Sequence, residues 1–184
     1  MFIQTEETPN PASLKFLPGR VVLQTGTANF PAAETAGHSP LARRLFQIDG
    51  VTGVFLGYDF ITVTKEGAVD WYTLKPTILG AIMDAYTRGE TALDDDGAST
   101  PESTAAEDDD EIVVQIKELI DTRVRPAVAQ DGGDIVFHGF SDGIVYLHMQ
   151  GSCSGCPSSA ATLRSGIENM LRHYLPEVVE VRAV

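Results

Sequence analysis

One stretch decides the fold of the C-terminal half of this chain: Ile144-Val145-Tyr146-Leu147-His148-Met149-Gln150-Gly151-Ser152-Cys153-Ser154-Gly155-Cys156-Pro157-Ser158-Ser159. Apolar and polar residues alternate at its start, which predicts a β-strand. The small residues that follow predict a turn, and apolar residues spaced three or four apart from Leu163 to Tyr174 predict a helix after it. The two cysteines of the chain therefore lie between the end of a strand and the start of a helix.

The segments around this stretch complete a small domain. Apolar spacing over Glu111–Gln130 predicts a helix weakened at Pro126, and Asp131-Gly132-Gly133-Asp134 ends it. We interpret these two glycines as a structural junction between helix and strand. Alternation predicts strands at Ile135–Phe140 and Val178–Val184. The order α-β-β-α-β implies a two-layer domain with both helices on one face of the sheet.

The N-terminal half has its own strand and helix signals. The predicted elements are a strand at Phe2–Glu6, a strand at Val21–Leu23, a helix that opens at Ser39-Pro40, a hairpin of Val51–Gly57 and Phe60–Lys65, and a helix from Trp71 to Tyr86 with Pro76 in its early turns. The two halves together predict an α+β chain.

An acidic segment separates the two halves. Glu90–Asp110 holds nine acidic residues and no basic residue. Such a segment cannot bury a core, which predicts a disordered, flexible linker. We therefore expect two small two-layer α/β domains, residues 1–89 and 111–184, joined by the acidic linker 90–110.

Charge and hydropathy exclude several classes of partner. The formal net charge is −13, with no cluster of Lys and Arg to replace the counterions of a nucleic acid. No apolar run approaches the roughly 20 residues that span a bilayer. Two cysteines this close cannot link distant parts of a fold, which favours a reducing, cytoplasm-like compartment. A mitochondrial matrix protein whose presequence has been removed would show the same features. We expect neither nucleic acid nor membrane as a partner.

The paired cysteines, Cys153 and Cys156, allow four interpretations. Their small neighbours, with a helix start behind them, favour exposed thiolates that ligate one metal or cluster, rather than two buried structural cysteines. A thioredoxin-like redox pair needs a parallel βαβ context, and here a hairpin precedes the cysteines. A zinc site needs two further ligands, either from a second chain or from the histidines His138, His148 and His173.

The fourth interpretation is an iron–sulfur cluster. A cubane cluster commonly takes four cysteine thiolates, and this chain has two. Two chains are then required, each contributing Cys153 and Cys156. A cluster held in this way is readily released, which fits delivery better than electron transfer.

Several motifs together resemble a known family. Arg125-Pro126, Asp131–Asp134, the cysteine turn and Gly166-Ile167-Glu168 resemble the C-terminal domain of NifU-like proteins. Residues Thr5–Pro11, Leu14–Phe16 and Asp59–Lys65 are similar to the N-terminal domain of two-domain Nfu-type carriers. The resemblance covers the chain apart from the acidic segment.

The resemblance implies a non-enzymatic scaffold or carrier for an iron–sulfur cluster. Cys153 and Cys156 match the family's ligand positions, and Gly151 and Gly155 would shape their loop. The implied cargo is a 4Fe-4S cluster shared between two chains, with 2Fe-2S as the alternative. The implied partners are a second copy on cluster binding, upstream assembly factors and apo iron–sulfur clients, which the N-terminal domain would position unless it restrains the dimer.

Overall fold

The computed structural model of this chain describes residues 1–94, 110–154 and 157–184, with the backbone alone at 157–159. The chain divides into two compact units, Met1–Pro101 and Glu102–Val184. Each unit has its own β-sheet and hydrophobic core, which confirms the α+β class. Most of the predicted acidic linker, residues 95–109, lies outside the described residues.

The N-terminal unit is a sheet with helices packed against it. Its elements are β1 (Gln4–Glu7), β2 (Ser13–Leu17), β3 (Ala28–Phe30), a 3-10 helix (Ala33–His38), α1 (Pro40–Phe46), β4 (Val51–Leu56), β5 (Ile61–Lys65) and α2 (Trp71–Thr87). The strands are ordered β1-β2-β5-β4-β3, and each neighbouring pair is antiparallel. The predicted hairpin is β4 and β5.

Helix α1 begins where its local sequence predicts. Ser39 is the N-cap, and its hydroxyl accepts a hydrogen bond of 3.0 Å from the backbone N–H of Ala42. Pro40 follows at the first helical position, where a missing N–H costs nothing. Gly50 has a φ of 97°, a conformation that favours glycine, and it lies in the turn that leads into β4. The start of the helix is thus predicted by capping chemistry.

One predicted strand in this unit is wrong. Val22 and Leu23 are both buried, but they lie in a loop, and their backbone N–H groups donate to the carbonyl of Tyr58 at 2.7 and 3.2 Å. Adjacent residues of a strand point to opposite faces, whereas this loop buries two neighbouring side chains in one core. The partner of β1 is instead β2, where Leu14 and Phe16 are buried.

The first residues of the acidic segment contact this unit. Arg44 donates through Nε to Glu90 at 2.9 Å, and a second guanidinium nitrogen also bonds that carboxylate. The Ser39 hydroxyl donates to the carbonyl of Ala92, and the Asp94 N–H donates to the carbonyl of His38 at 2.8 Å. Residues 90–94 are therefore bound to the N-terminal unit, although the sequence places them in the linker.

The C-terminal unit has the predicted α-β-β-α-β order. Its elements are α3 (Glu111–Leu119), a π-helical segment (Ile120–Val124), α4 (Arg125–Gln130), β6 (Gly133–Ser141), β7 (Ile144–Gly151), α5 (Pro157–Tyr174) and β8 (Glu180–Ala183). Strands β6 and β7 are antiparallel, and β8 pairs with β7 in parallel. Buried residues of the helices and of one sheet face form a single core, as predicted.

The interruption in the first helix of this unit precedes the predicted position. The π-helical segment Ile120–Val124 ends one residue before Arg125, and Pro126 lies in the first turn of α4. Proline lacks an N–H, and its ring crowds the carbonyl four residues earlier, which here is Thr122. The wider π turn accommodates that crowding, so the chain remains helical through Pro126. Among the described helices, none is long and apolar enough to cross a membrane.

Candidate metal centre

The cysteine loop lies between a strand and a helix, as predicted. Strand β7 ends at Gly151, and α5 begins at Pro157. Gly151 has a φ of 64°, which favours glycine, and its carbonyl accepts a hydrogen bond of 3.1 Å from the Ser154 N–H. Gly155 and Cys156 lie outside the described residues. The structure therefore describes the first half of this loop and one of the two predicted ligands.

Cys153 is buried, and the expectation of an exposed thiol at this position is wrong. Its exposed fraction is 7%, and its side chain belongs to the hydrophobic core of the C-terminal unit. Residues distant in sequence, Gly133 among them, pack against it, and the sequence around the cysteines gives no sign of them.

Gly133, at the start of β6, makes room for the sulfur. A Cβ atom built on Gly133 would lie 2.5 Å from the Cys153 Sγ and 2.9 Å from the Gln150 carbonyl oxygen. Both separations are shorter than van der Waals contact, so only glycine fits without movement. We call this space, bounded by Gly133, the Gln150 carbonyl and Cys153, the Gly133 notch.

Hydrogen bonds hold the cysteine loop against the turn that ends α4. The Ser152 N–H donates to the Gly132 carbonyl at 3.2 Å, and the Ser152 hydroxyl donates to the Asp131 carbonyl. Ser152 is 2% exposed. Gly132 has a φ of 77°, the left-handed conformation that commonly ends a helix. The turn and the cysteine loop therefore form one connected structure.

A buried ion pair fixes the start of β6. The Asp134 carboxylate accepts from Arg125 Nε at 2.9 Å and from Arg125 Nη2 at 2.8 Å, which is a bidentate pair. Its Oδ1 also accepts from the Ile135 N–H at 2.8 Å, and the residue is 2% exposed. The hydrogen bond with Asp134 raises the pKa of the Arg125 guanidinium. Arg125 also pairs with Asp121 on the solvent side, at 3.2 Å.

The surroundings of Cys153 favour the neutral thiol. Burial raises the pKa of Cys153 to about 11, and the negative charges of Asp131 and Asp134 act in the same direction. A hydrogen bond with the Ser152 side chain opposes this rise in pKa. In this conformation Cys153 is a protected thiol rather than a thiolate ready to bind metal.

The histidines do not complete a zinc site in the described part of the chain. There, no group of three or more His, Cys, Asp or Glu side chains is placed to hold a metal ion. His148 is exposed, and its Nδ1 lies 3.1 Å from the Val184 carbonyl oxygen. The His173 ring packs edge-on against Tyr174, with 5.2 Å between the ring centroids. Neither contact involves the cysteine loop.

The strands around α5 have an arrangement that the sequence analysis did not expect. Because β7 and β8 pair in parallel and α5 connects them, the cysteine loop begins the helix of a βαβ unit. The same location is typical of a thioredoxin-like cysteine pair. The parallel pairing of β7 and β8 is therefore compatible with a dithiol oxidoreductase as well as with a pair of metal ligands.

The Asp131–Asp134 motif, which the sequence analysis interpreted as structural only, contacts Cys153 through Gly133. Asp131–Asp134 is structural, as expected for Gly132 with its positive φ. Gly133 and Asp134 also form the wall and the anchor of the notch that holds the sulfur. The signal available in the sequence was a pair of glycines between two carboxylates, but the pattern does not say which segment they approach.

Two family models match this chain and together span most of it. A model described as "Scaffold protein Nfu/NifU N terminal" matches residues 3–89. A model described as "NifU-like domain" matches residues 116–182. The second match contains the cysteine loop, Arg125 and the Asp131–Asp134 turn.

Similar curated proteins carry related names. The human "NFU1 iron-sulfur cluster scaffold homolog, mitochondrial" is 55% identical over 186 residues, covering 100% of this chain and 72% of that protein. The Arabidopsis thaliana "NifU-like protein 4, mitochondrial" is 55% identical, covering 97% of this chain and 64% of that protein's length. A solution NMR structure of a NifU-like protein from Saccharomyces cerevisiae is 32% identical over 50% of this chain and 84% of that one, with a TM-score of 0.44.

Proposed function

This chain belongs to the Nfu/NifU family, and we propose that it is a scaffold and carrier for an iron–sulfur cluster. The cargo is a 4Fe-4S cluster that two chains hold between them. Each chain ligates it through the thiolates of Cys153 and Cys156. The protein then transfers the cluster to apo iron–sulfur proteins and performs no catalysis of its own.

The observation that carries this proposal is the family match over a chain with only one cysteine pair. The relatives at 55% identity are named as an iron–sulfur cluster scaffold homolog and as a NifU-like protein. A 4Fe-4S cluster commonly takes four cysteine thiolates, and the chain has two cysteines. Two copies therefore supply the ligand set, and the cluster is released when the copies separate.

Ligation requires a change at Cys153. Each thiol must lose its proton before its sulfur binds iron, so loading a cluster releases protons. The Cys153 thiol is buried and its pKa is raised to about 11, which opposes that loss. We propose that the loop moves the sulfur into solvent when iron and sulfide arrive.

The organisation of the chain fits a carrier with two working parts. We propose that 111–184 holds the cluster, that the acidic segment beyond residue 94 tethers the two parts, and that 1–89 positions client proteins. In the N-terminal unit, a cleft of about 590 Å³ lies beside β1 and is lined by the Trp71 indole and by Lys75. We propose a reducing compartment, either the mitochondrial matrix, as the relatives' names say of those proteins, or a bacterial cytoplasm.

Anaerobic reconstitution tests this function. The full chain is incubated with iron and sulfide, separated by size, and analysed for iron, sulfide and visible absorption. We expect about four irons and four sulfides per dimer. Cys153→Ala and Cys156→Ala should each abolish cluster binding while the far-UV circular dichroism stays that of the parent. A full cluster on a monomer, or on either variant, contradicts the proposal.

A dithiol oxidoreductase is the second candidate, favoured by the parallel βαβ arrangement around the cysteine loop. Such a protein would cycle a disulfide between Cys153 and Cys156 and transfer two electrons to a disulfide substrate. Reduction of insulin by the iron-free monomer separates the two functions. Turnover there, together with no iron binding in the reconstitution, would replace the carrier by the oxidoreductase.

A further inference from the structure

We infer that Gly133 and Asp134 are positioning residues that hold Cys153 in a protected position until a cluster is loaded. The inference rests on the proposed function only in treating Cys153 as a cluster ligand. In the cluster-free protein both residues act through the position that they give to the sulfur, and neither of them ligates iron.

The first support is the fit between the sulfur and the strand. The space beside Gly133 is filled by the Cys153 Sγ, which would lie 2.5 Å from a Cβ at that position. The backbone forms the rest of the wall, because the Gln150 carbonyl oxygen would lie 2.9 Å from the same Cβ. A backbone wall cannot move as a flexible side chain does, so a methyl group on Gly133 must displace the cysteine loop.

The second support is the anchor beneath the notch. Gly133 is followed directly by Asp134, which is 2% exposed and accepts two hydrogen bonds from Arg125. The carboxylate joins the start of β6 to the first residue of α4, and the carbonyls of Asp131 and Gly132, at the other end of α4, bind Ser152. Among the described residues, removing the charge of Asp134 leaves Arg125 with the anionic partner Asp121, on its exposed side. The start of β6 then loses its ion pair with α4.

These contacts define one position of the thiol, and binding of a shared cluster requires a second. In the described position the sulfur belongs to the core and is 7% exposed. A bridging cluster needs the same sulfur at a surface that a second chain can reach. Loading therefore requires the loop to leave the Gly133 notch, and local opening at the notch limits access to the thiol in the cluster-free protein.

Alkylation of a single thiol tests the position. Every variant of the full chain carries Cys156→Ser, so that iodoacetamide reacts with Cys153 alone. Gly133→Ala is compared with Gly139→Ala, the same change on the same strand, where no atom lies within 4 Å of the new Cβ. Rates are measured in the cluster-free protein at a temperature at which circular dichroism shows each variant folded, and the contribution of global unfolding, calculated from the urea unfolding curve of each variant, is subtracted.

We expect Gly133→Ala to raise the alkylation rate at least ~10-fold, because the closed position is lost, and Gly139→Ala to leave it within about 2-fold. A parent protein alkylated as fast as in urea, or equal rates in the two alanine variants, would overturn the inference. In the protein that retains Cys156, Gly133→Ala should still load a cluster. Loss of loading there would assign Gly133 to the bound loop and overturn its role as a holder of the free thiol.

A second pair of variants decides the matter if Gly133→Ala does not fold. Asp134→Asn removes the inner partner of Arg125, and Asp121→Asn removes its exposed partner. We expect faster alkylation only in the first, and equal rates would contradict the role of Asp134. These measurements need no iron. A failed reconstitution with a protected thiol would therefore reject the carrier function and leave the positioning role intact.

Discussion

The Cys153 thiol illustrates how burial controls chemistry at the scale of one residue. Its sulfur contacts the core of the C-terminal unit, and burial raises its pKa to about 11 from an ordinary value of 9.0. The neutral form is therefore favoured in the folded chain. Unfolding exposes the thiol to water and returns its pKa toward the ordinary value, so the unfolded chain ionises first as pH rises.

This difference predicts a pH dependence with a definite sign. In the cluster-free Cys156→Ser protein, the alkylation rate of Cys153 should keep rising toward pH 11, whereas in urea it should level off above pH 9. The thiol's contribution to the free energy of unfolding is fully present below pH 9 and is lost toward pH 11, by roughly 2–3 kcal/mol. Iodoacetamide kinetics across this range provide the check. A rate that levels off near pH 9 in the folded protein would contradict the raised pKa.

At the scale of an element, one hydroxyl at the start of α1 makes hydrogen bonds to two different segments. Ser39 is fully buried, accepts from the Ala42 N–H and donates to the carbonyl of Ala92. The first bond caps α1, and the second attaches the beginning of the acidic segment to the N-terminal unit. An alanine at this position loses both bonds, so the buried Ala42 N–H and the half-buried Ala92 carbonyl each lose the Ser39 hydroxyl as partner.

We predict that Ser39→Ala lowers the free energy of unfolding of the N-terminal unit by about 1–3 kcal/mol. Urea unfolding followed by the fluorescence of the single tryptophan, Trp71, reports on this unit. The matched control is Thr87→Ala, which removes an exposed hydroxyl bonded to the Met83 carbonyl in α2. That control should change stability by less than about 0.5 kcal/mol. A similar loss in both variants would show that the buried bonds of Ser39 contribute nothing beyond an exposed hydroxyl.

Elements with local signals could be predicted from the sequence, and those set by distant contacts could not. Ser39-Pro40 carries its own cap, so the start of α1 follows from two residues. Val22 and Leu23 look like a strand because they are apolar, yet their backbone bonds go to Tyr58 in another loop. The burial of Cys153 depends in the same way on Gly133, which meets it only when β6 pairs with β7. The position of the cysteines between a strand and a helix follows from local sequence signals, whereas the burial of the Cys153 thiol depends on residues distant in sequence.

At the scale of the whole molecule, charge is concentrated between the two units. The chain has a net charge of −13, and nine of its acidic residues fall in Glu90–Asp110. Arg43 and Arg44 pair with Asp94 and Glu90, so the first part of this segment is neutralised by the N-terminal unit. The remaining acidic residues have no basic neighbour in the sequence of the segment. Like charges repel one another, which supports our proposal that the rest of the segment is the tether.

This proposal predicts the result of limited proteolysis. The segment has no Lys or Arg, so trypsin has no site in it, whereas a glutamate-specific protease has Glu102 and Glu107. We expect that protease to cut there first, and to spare Glu90, which is paired with Arg44. Mass spectrometry of the early fragments identifies the site. First cuts within β-strands or helices would contradict the tether.

The C-terminal fragment from this cleavage contains both cysteines and should still load about four irons per dimer on reconstitution, since the ligands and the Gly133 notch remain. A fragment that folds but binds no iron would show that residues 1–89 take part in holding the cluster.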